Sequence, residues 1–281
     1  MVTMVTGANG YIGKNLIQAM SEQNAEFLPV TRKDFDYTDI NSVRLFFKNK
    51  NIKKIIHLAS AMDNQNTQSL FEMNILGLYN LLTVCNENRI AHFTFASSNN
   101  VYGIGKNLPY EETDICEPDT KNLYGISKYV GELIIKDFGR NHKINYANVR
   151  IADIYGPQQK HGNLLKALVK KVEEKEYVSL YGKGVRTRDY IYISDVVKGL
   201  MFISQNELQG EYNLATGVGT NVKQLITFVN DIVDYKLRIQ NIDVENEDES
   251  NVVLSPVKLA SSGYSASMDV SEGLKKIIKG E

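Results

Sequence analysis

The chain opens on an apolar run, residues 1–6, that predicts a short buried strand. Helical spacing of apolar residues follows over 11–22, and 26–30 reads as a second strand. Residues 41–50 predict a helix and 53–58 a third strand. Over 67–88, Leu70, Met73, Leu76, Leu81 and Val84 recur on one face and predict a single long helix. Residues 92–96 predict a fourth strand, 122–141 a second long helix and 145–150 a fifth strand. Strands alternating with helices of this length imply an α/β fold, a doubly wound parallel sheet.

Beyond Gly156-Pro157 the pattern changes. Helices are predicted at 163–174, 194–204, 222–233 and 270–279, the second with Ser194 as its cap. Short strands are predicted at 177–180, 189–193 and 211–214, and 241–251 is polar and acidic. The expected division is a nucleotide-binding unit over 1–155, with returning segments around 177–205, and a smaller substrate lobe over 156–281.

Composition narrows the field without choosing within it. Apolar content of 43% and charged content of 23% over 281 residues are those of a soluble globular protein. A net charge of −1 gives no electrostatic case for nucleic acid or an anionic membrane. Two cysteines, Cys85 and Cys116, make no disulfide framework and fit a reduced, cytoplasmic protein. No apolar run is long enough to span a bilayer, and no basic leader precedes the first strand. Four histidines without ligand spacing lead us to expect no metal site.

The chemistry starts at Gly7, Gly10 and Gly13, between the first strand and the first helix. Glycines there allow a tight turn, close approach of the backbone to a pyrophosphate, and close helix–sheet packing. Their G-x-x-G-x-x-G spacing is one residue longer than the usual dinucleotide fingerprint. The second strand ends in Thr31-Arg32-Lys33, with Asp34 slightly beyond. A cation at that point suits a 2′-phosphate, so NADP is the preferred cofactor and NAD the alternative; Arg32 and Lys33 also read as a solvated strand end. Asp36 and Tyr37 fall where adenine contacts are expected, and Leu58, Ala59 and Ser60 where the third strand passes the cofactor. His57 reads as a packed strand residue. At the start of the second long helix stand Tyr124 and Lys128, i and i+4, on one helical face. The ammonium is expected to stabilise the phenolate and lower the phenol's pKa, making proton exchange with a sugar or alcohol oxygen feasible.

With these residues come GANGYIG at 7–13, HLAS at 57–60, NILGLYNLL at 74–82, SSNNVYG at 97–103, YGISK at 124–128, IYGP at 154–157 and RDYIYISDVV at 188–197. In that order they make nearly the whole chain resemble the extended short-chain dehydrogenases/reductases, the NAD-dependent epimerase/dehydratase family acting on nucleotide sugars. The resemblance implies a Rossmann fold with Gly7, Asn9, Gly10, Tyr11, Ile12 and Gly13 forming the cofactor turn. Tyr124 is implied as the acid/base, Lys128 as its electrostatic partner and holder of the nicotinamide ribose. Ser98, or Ser97 if the register slips by one, would hydrogen-bond the reacting oxygen. Asn74 would orient the cofactor side of the site or serve as a buried structural amide. Ser98, Asn99, Asp153, Asn163 and Arg188 fall at substrate-binding positions. Arg188 resembles the arginine that clamps a pyrophosphate, unless it pairs with neighbouring Asp189. Asp195 resembles a structural residue at a helix N-terminus. A homodimer through the two long helices is implied.

The chain also departs from the family. Dehydratases of the family carry an Asp-Glu pair where Asn99 and Asn100 stand, which disfavours elimination of water. Asp153 stands where family epimerases often have asparagine. Hydride transfer on a nucleoside-diphosphate sugar is the expected chemistry. Arg32 and the missing acids lean the reading towards a 4-keto-sugar reductase, with a 4-epimerase retaining NAD as the alternative. A non-enzymatic NAD(P)-binding sensor is a further alternative, against which Tyr124, Lys128 and Ser98 all argue.

Overall fold

The computed structural model describes residues 2–103, 108–142, 144–159, 164–174, 176–245 and 249–280. In chain order the first half runs β1 Val2–Thr6, α1 Tyr11–Glu22, β2 Phe27–Val30, α2 Ile40–Phe47, β3 Ile52–His57, α3 Thr67–Phe71, a π-turn Glu72–Leu76, and α4 Gly77–Glu87. Next come β4 His92–Ser98, a 3₁₀ turn Asn99–Val101, α5 Leu123–His142 and β5 Asn145–Ile151. The second half adds β6 Asp153–Tyr155, α6 Leu164–Glu173, β7 Val178–Tyr181, β8 Thr187–Tyr192, α7 Ile193–Gln205 and β9 Gly210–Leu214. It ends with β10 Gly219–Asn221, α8 Val222–Ile232, β11 Ile239–Ile242, β12 Asn251–Val252, α9 Val257–Ser261 and α10 Val270–Lys279.

The chain forms two compact units. The first comprises Met1–Gly103, Glu112–Ile151 and Val197–Asn213. Its sheet has the order β2-β1-β3-β4-β5-β9, and β1 to β5 pair in parallel. Every residue of β4 is buried, as expected of a central parallel strand covered on both faces. Met4, Ile55, Phe93, Leu78, Leu81 and Leu82 are fully buried in the core between sheet and helices. Because β2 and β3 flank β1 on opposite sides, the order reverses at β1, and the loops after β1 and β3 lie together there.

The predicted long helix is interrupted. Its middle is the π-turn, so α3 and α4 are out of continuous α register. Leu76, placed by its spacing on the core face, is 41% exposed as a result. Gly77 follows directly, and a Cβ there would meet Tyr37 Cβ at 2.9 Å.

The second unit comprises Ile104–Glu111, Ala152–Val196 and Leu214–Glu281. There β8 pairs with β6, β10 and β12, and β7 with β11. The chain returns to the first unit at Val197–Asn213, later than the expected 177–205, because β7 and β8 find their partners in the second unit. The strands β11 and β12 arise in the stretch read as merely polar; β11 is largely exposed and carries no core pattern. Ser194 lies inside α7 and does not cap it, since the helix begins at Ile193. Asp195, in the first turn of α7, holds a distant loop: its carboxylate accepts from Ser267 N at 2.9 Å and Met268 N at 2.8 Å. Among the described residues no helix is long and apolar enough to cross a membrane, and no cluster of three or more His, Cys, Asp or Glu could hold a metal.

Candidate active site

The glycine turn is built by close backbone contact. Gly7 has φ +67°, and Gly10 N donates to Gly7 O at 2.8 Å. A Cβ at Gly13 would lie 2.2 Å from Gly7 O, so only hydrogen fits between α1 and the turn. A Cβ at Gly7 would lie 2.8 Å from the backbone of both Leu58 and Ala59, which places the loop after β3 against the turn. Gly10 is the N-cap of α1 and has no side chain to satisfy its first N–H groups, which with the exposed Asn9 and half-buried Tyr11 and Ile12 face the switch point. A narrow cradle, donor N–H groups and a positive helix end fit a dinucleotide pyrophosphate.

At the end of β2, Asp34 is already used: its Oδ2 accepts from Thr31 N at 2.7 Å and Thr31 Oγ1 at 2.8 Å. Arg32 and Lys33 are exposed beside it. Asp36 is likewise a turn residue, accepting from Thr38 N and Oγ1, each at 2.8 Å, bonds that hold its pKa down. Tyr37 does not offer the expected adenine contact. It is 4% exposed, its ring lies 4.4 Å from that of Phe35, and its aromatic bulk belongs to the core. His57 is a packed residue too: Nδ1 meets Thr6 Oγ1 at 2.8 Å, its ring stacks on Phe95, and burial pushes its pKa down to about 3.

The first turns of α5 carry the Tyr124–Lys128 pair. Lys128 is 3% exposed, its Nζ donates to Ala96 O at 2.9 Å, and it sits 5.6 Å from the Tyr124 ring centroid and 4.7 Å from that of Phe95. Burial pushes the ammonium down to about 7, against the opposing pull of Glu132. Burial also pushes the half-buried Tyr124 phenol up to about 12. The expectation that the ammonium would lower the phenol's pKa therefore fails. Desolvation acts on both groups, driving the lysine's pKa down and the phenol's up.

The lysine shift has a measurable sign. Its folded pKa lies below the ordinary 10.5, so the unfolded chain binds more protons between about 7 and 10.5. Burial of the charged form therefore costs stability in full below pH 7, and the cost fades as pH rises through that window. Urea unfolding of wild type and Lys128→Met, compared pH by pH, should show wild type gaining on the variant from pH 7 to 10. The slope should not exceed about 1.4 kcal/mol per pH unit. A difference that stays flat across this range would show that the lysine is not desolvated.

Ser98 ends β4 and Ser97 precedes it with the opposite orientation. Ser97 Oγ is committed to Glu132 Oε1 at 2.5 Å, which leaves Ser98 as the serine beside the 3₁₀ turn. Ser98 Oγ accepts from Asn100 Nδ2 at 2.9 Å and lies 3.2 Å from Asn99 Oδ1. Asn74 is a structural amide: Oδ1 accepts from Ala61 N at 2.8 Å and Ser60 Oγ at 3.0 Å, while Nδ2 donates to Ala61 O and to Ser127 Oγ, each at 2.9 Å. It ties the loop after β3 to α5 at Ser127, the residue before Lys128.

Sequence reasoning missed the charge network under these residues. Glu132 and Arg150 are both buried and form a bidentate pair, with Arg150 Nη2 to Glu132 Oε2 at 2.8 Å. Arg150 Nη1 donates to Tyr102 Oη at 2.9 Å, and Tyr102 Oη to Asn213 Oδ1 at 2.7 Å. The available signal was the i+4 step from Lys128 to Glu132 on one helical face.

In the second unit, Arg188 turns away from Asp189. The Asp189 carboxylate accepts from Thr216 N, Thr216 Oγ1 and Gly217 N, whereas Arg188 Nε faces Asp153 at 3.9 Å and its Nη atoms donate to Ser250 O and Oγ, each at 2.7 Å. Asp153, which stands where family epimerases often have asparagine, is thus placed beside a cation. Asn163, with Lys160 and His161, lies outside the described residues.

A parallel sheet with a glycine turn at its switch point and a buried Tyr-x-x-x-Lys pair defines a short-chain dehydrogenase/reductase. Residues 3–215 match the family described as NAD dependent epimerase/dehydratase, and the chain belongs to that family. It is 28% identical to a putative UDP-glucose 4-epimerase of Methanocaldococcus jannaschii, over 98% of this chain and 96% of that one. Its fold is that of a Thermotoga maritima UDP-glucose 4-epimerase solved with UDP-glucose, at TM-score 0.88 and 24% identity, covering 99% and 98% of the two chains. It is similarly close to the RMD protein of Pseudomonas aeruginosa complexed with NADPH, at TM-score 0.86, 21% identity and coverage of 99% and 97%.

Proposed function

We propose that the protein is a nucleotide-sugar 4-epimerase, inverting a sugar carbon of a nucleoside-diphosphate sugar with a retained dinucleotide. The observation that carries the reading is Lys128, buried beside Tyr124 on the helix that Asn74 ties to the loop packed on the glycine turn. The end-to-end similarity to a putative UDP-glucose 4-epimerase supports epimerisation over the 4-keto-sugar reduction towards which the sequence leaned. Asn99 and Asn100, which supply no acid or base, count against dehydration.

The glycine turn, Leu58 to Ser60, Tyr124 and Lys128 would hold the cofactor. Bound there, the nicotinamide would take up and return a hydride at the sugar carbon. The chain's own task is the proton. Tyr124 exchanges it with the sugar oxygen, Ser98 donates a hydrogen bond to that oxygen, and Lys128 stabilises the phenolate when the proton has left.

Incubation with UDP-glucose and catalytic NAD should interconvert two hexose epimers with no net change in cofactor redox state. A second reading, reduction of a 4-keto sugar with NADPH, is favoured by Arg32 and Lys33 beside the occupied Asp34. Stoichiometric loss of NADPH with a 4-keto-6-deoxy sugar nucleotide, and no epimer interconversion, would decide for it.

The π-turn, α4 and α5 leave Leu76 at 41%, Tyr79 at 51% and Leu133 at 49% exposure, and the homodimer expected from the resemblance would cover these side chains with a second copy of the chain. Leu133→Arg is expected to shift sedimentation from dimer to monomer at micromolar concentration. Wild type that already sediments as a monomer would refute the dimer.

A further inference from the structure

The hydroxyl of Ser98 has its direction set from a distance. Asn122 precedes α5 and caps it, accepting from Gly125 N at 3.1 Å through Oδ1. A backbone N–H can only donate, so this bond fixes which atom of the Asn122 amide is oxygen. Its nitrogen must then point the other way, and Nδ2 donates to Asn100 Oδ1 at 3.1 Å. That in turn fixes Asn100, whose Nδ2 donates to Ser98 Oγ at 2.9 Å, joined by the Asn100 backbone N at 3.2 Å. Asn64 braces the far end: its Oδ1 accepts from Tyr124 N at 2.8 Å.

A hydroxyl has one proton and two acceptor positions. Both acceptor positions of Ser98 are filled by Asn100. Its proton can only be given outward, and it is directed at Asn99 Oδ1, 3.2 Å away. That is long for an O–H···O bond, and a sugar oxygen competes readily for the same proton.

We propose that Asn100, oriented by Asn122, is a positioning residue that commits Ser98 to donating its hydrogen bond to the reacting sugar oxygen. This rests on the reading of Ser98 given above. The same amide string ends on the backbone of Tyr124, so the donor hydroxyl and the proton-carrying phenol are set by one device. Family dehydratases place acids at positions 99 and 100; here neutral amides convert that segment from proton transfer to hydrogen-bond direction.

The test is Asn100→Asp, which is isosteric and still accepts from Asn122 but offers Ser98 an acceptor in place of a side-chain donor. The Ser98 proton should turn towards the carboxylate. At pH 8 kcat should fall about ten-fold or more, with KM within a few-fold of wild type. Lowering the pH should narrow the deficit, because a protonated carboxyl donates again. Asn122→Asp keeps the cap but removes the donor to Asn100, and should lower kcat in the same direction without loss of thermal stability. It also carries the test should Asn100→Asp not fold. Ser98→Ala separates the two layers. If Ser98→Ala turns over like wild type, the reading of Ser98 fails and takes the proposal with it. If Ser98→Ala is slow while both asparagine variants keep wild-type kcat at every pH, the proposal alone is overturned.

Discussion

Tyr124→Phe is expected to lower turnover by about two orders of magnitude or more, with dinucleotide affinity within a few-fold of wild type. Phenylalanine keeps the ring and its seat 5.6 Å from Lys128 Nζ, so only the oxygen is lost. Burial pushes the phenol up to about 12 and the ammonium down to about 7, so the order of the two groups' pKa values is the reverse of that in water and they stand far apart. Steady-state kcat together with a thermal-shift titration of NAD and NADP checks the split. Turnover within a few-fold of wild type would remove the tyrosine from the mechanism.

The second large effect is on stability. Glu132→Leu should cost about 3–5 kcal/mol, because it leaves the Arg150 guanidinium buried without a counter-charge. It also deprives Ser97 Oγ of its acceptor and Lys128 of the nearby carboxylate that favours its charge. For a chain of this size the melting temperature should drop by roughly 10 °C. Pairing the change with Arg150→Met should restore much of the loss, since two apolar side chains of similar bulk leave no orphaned charge. A double variant as unstable as the sum of the single ones would mean that the pair acts independently and that shape, not charge, sets the cost.

What the sequence disclosed and what it hid divide along physical lines. The five parallel strands were legible because short stretches rich in apolar and β-branched residues alternate with segments of helical spacing, and β4 is buried throughout. The glycine turn was legible because Gly7 and Gly13 occupy places where a Cβ would strike backbone. The choice of Ser98 over Ser97 was not, because a one-residue step in a strand changes the face and adjacent serines look alike until Ser97 is seen bonded to Glu132. Tyr37 looked available for adenine because a loop tyrosine after β2 carries no periodicity; only packing against Phe35 and Gly77 shows it in the core. Arg188 was left open between a substrate pyrophosphate and its neighbour Asp189, and the loop after β9 removes the second by claiming Asp189 through Thr216 and Gly217. The polar strands β11 and β12 were missed because pairing, not burial, makes them.

The widened turn at 72–76 behaves as a spacer in the helical phase. Deleting a single residue from it would return the segment to ordinary α geometry and leave everything downstream in its present phase, because the widened turn absorbs one residue's worth of rotation, about 100°. Tyr79 would stay on the outer surface, and Asn80, whose amide holds the Tyr37 carbonyl at 2.9 Å, would keep its grip on the loop after β2. Homologues one residue shorter here, with an uninterrupted helix, should therefore present the same outer face on α4 as this chain.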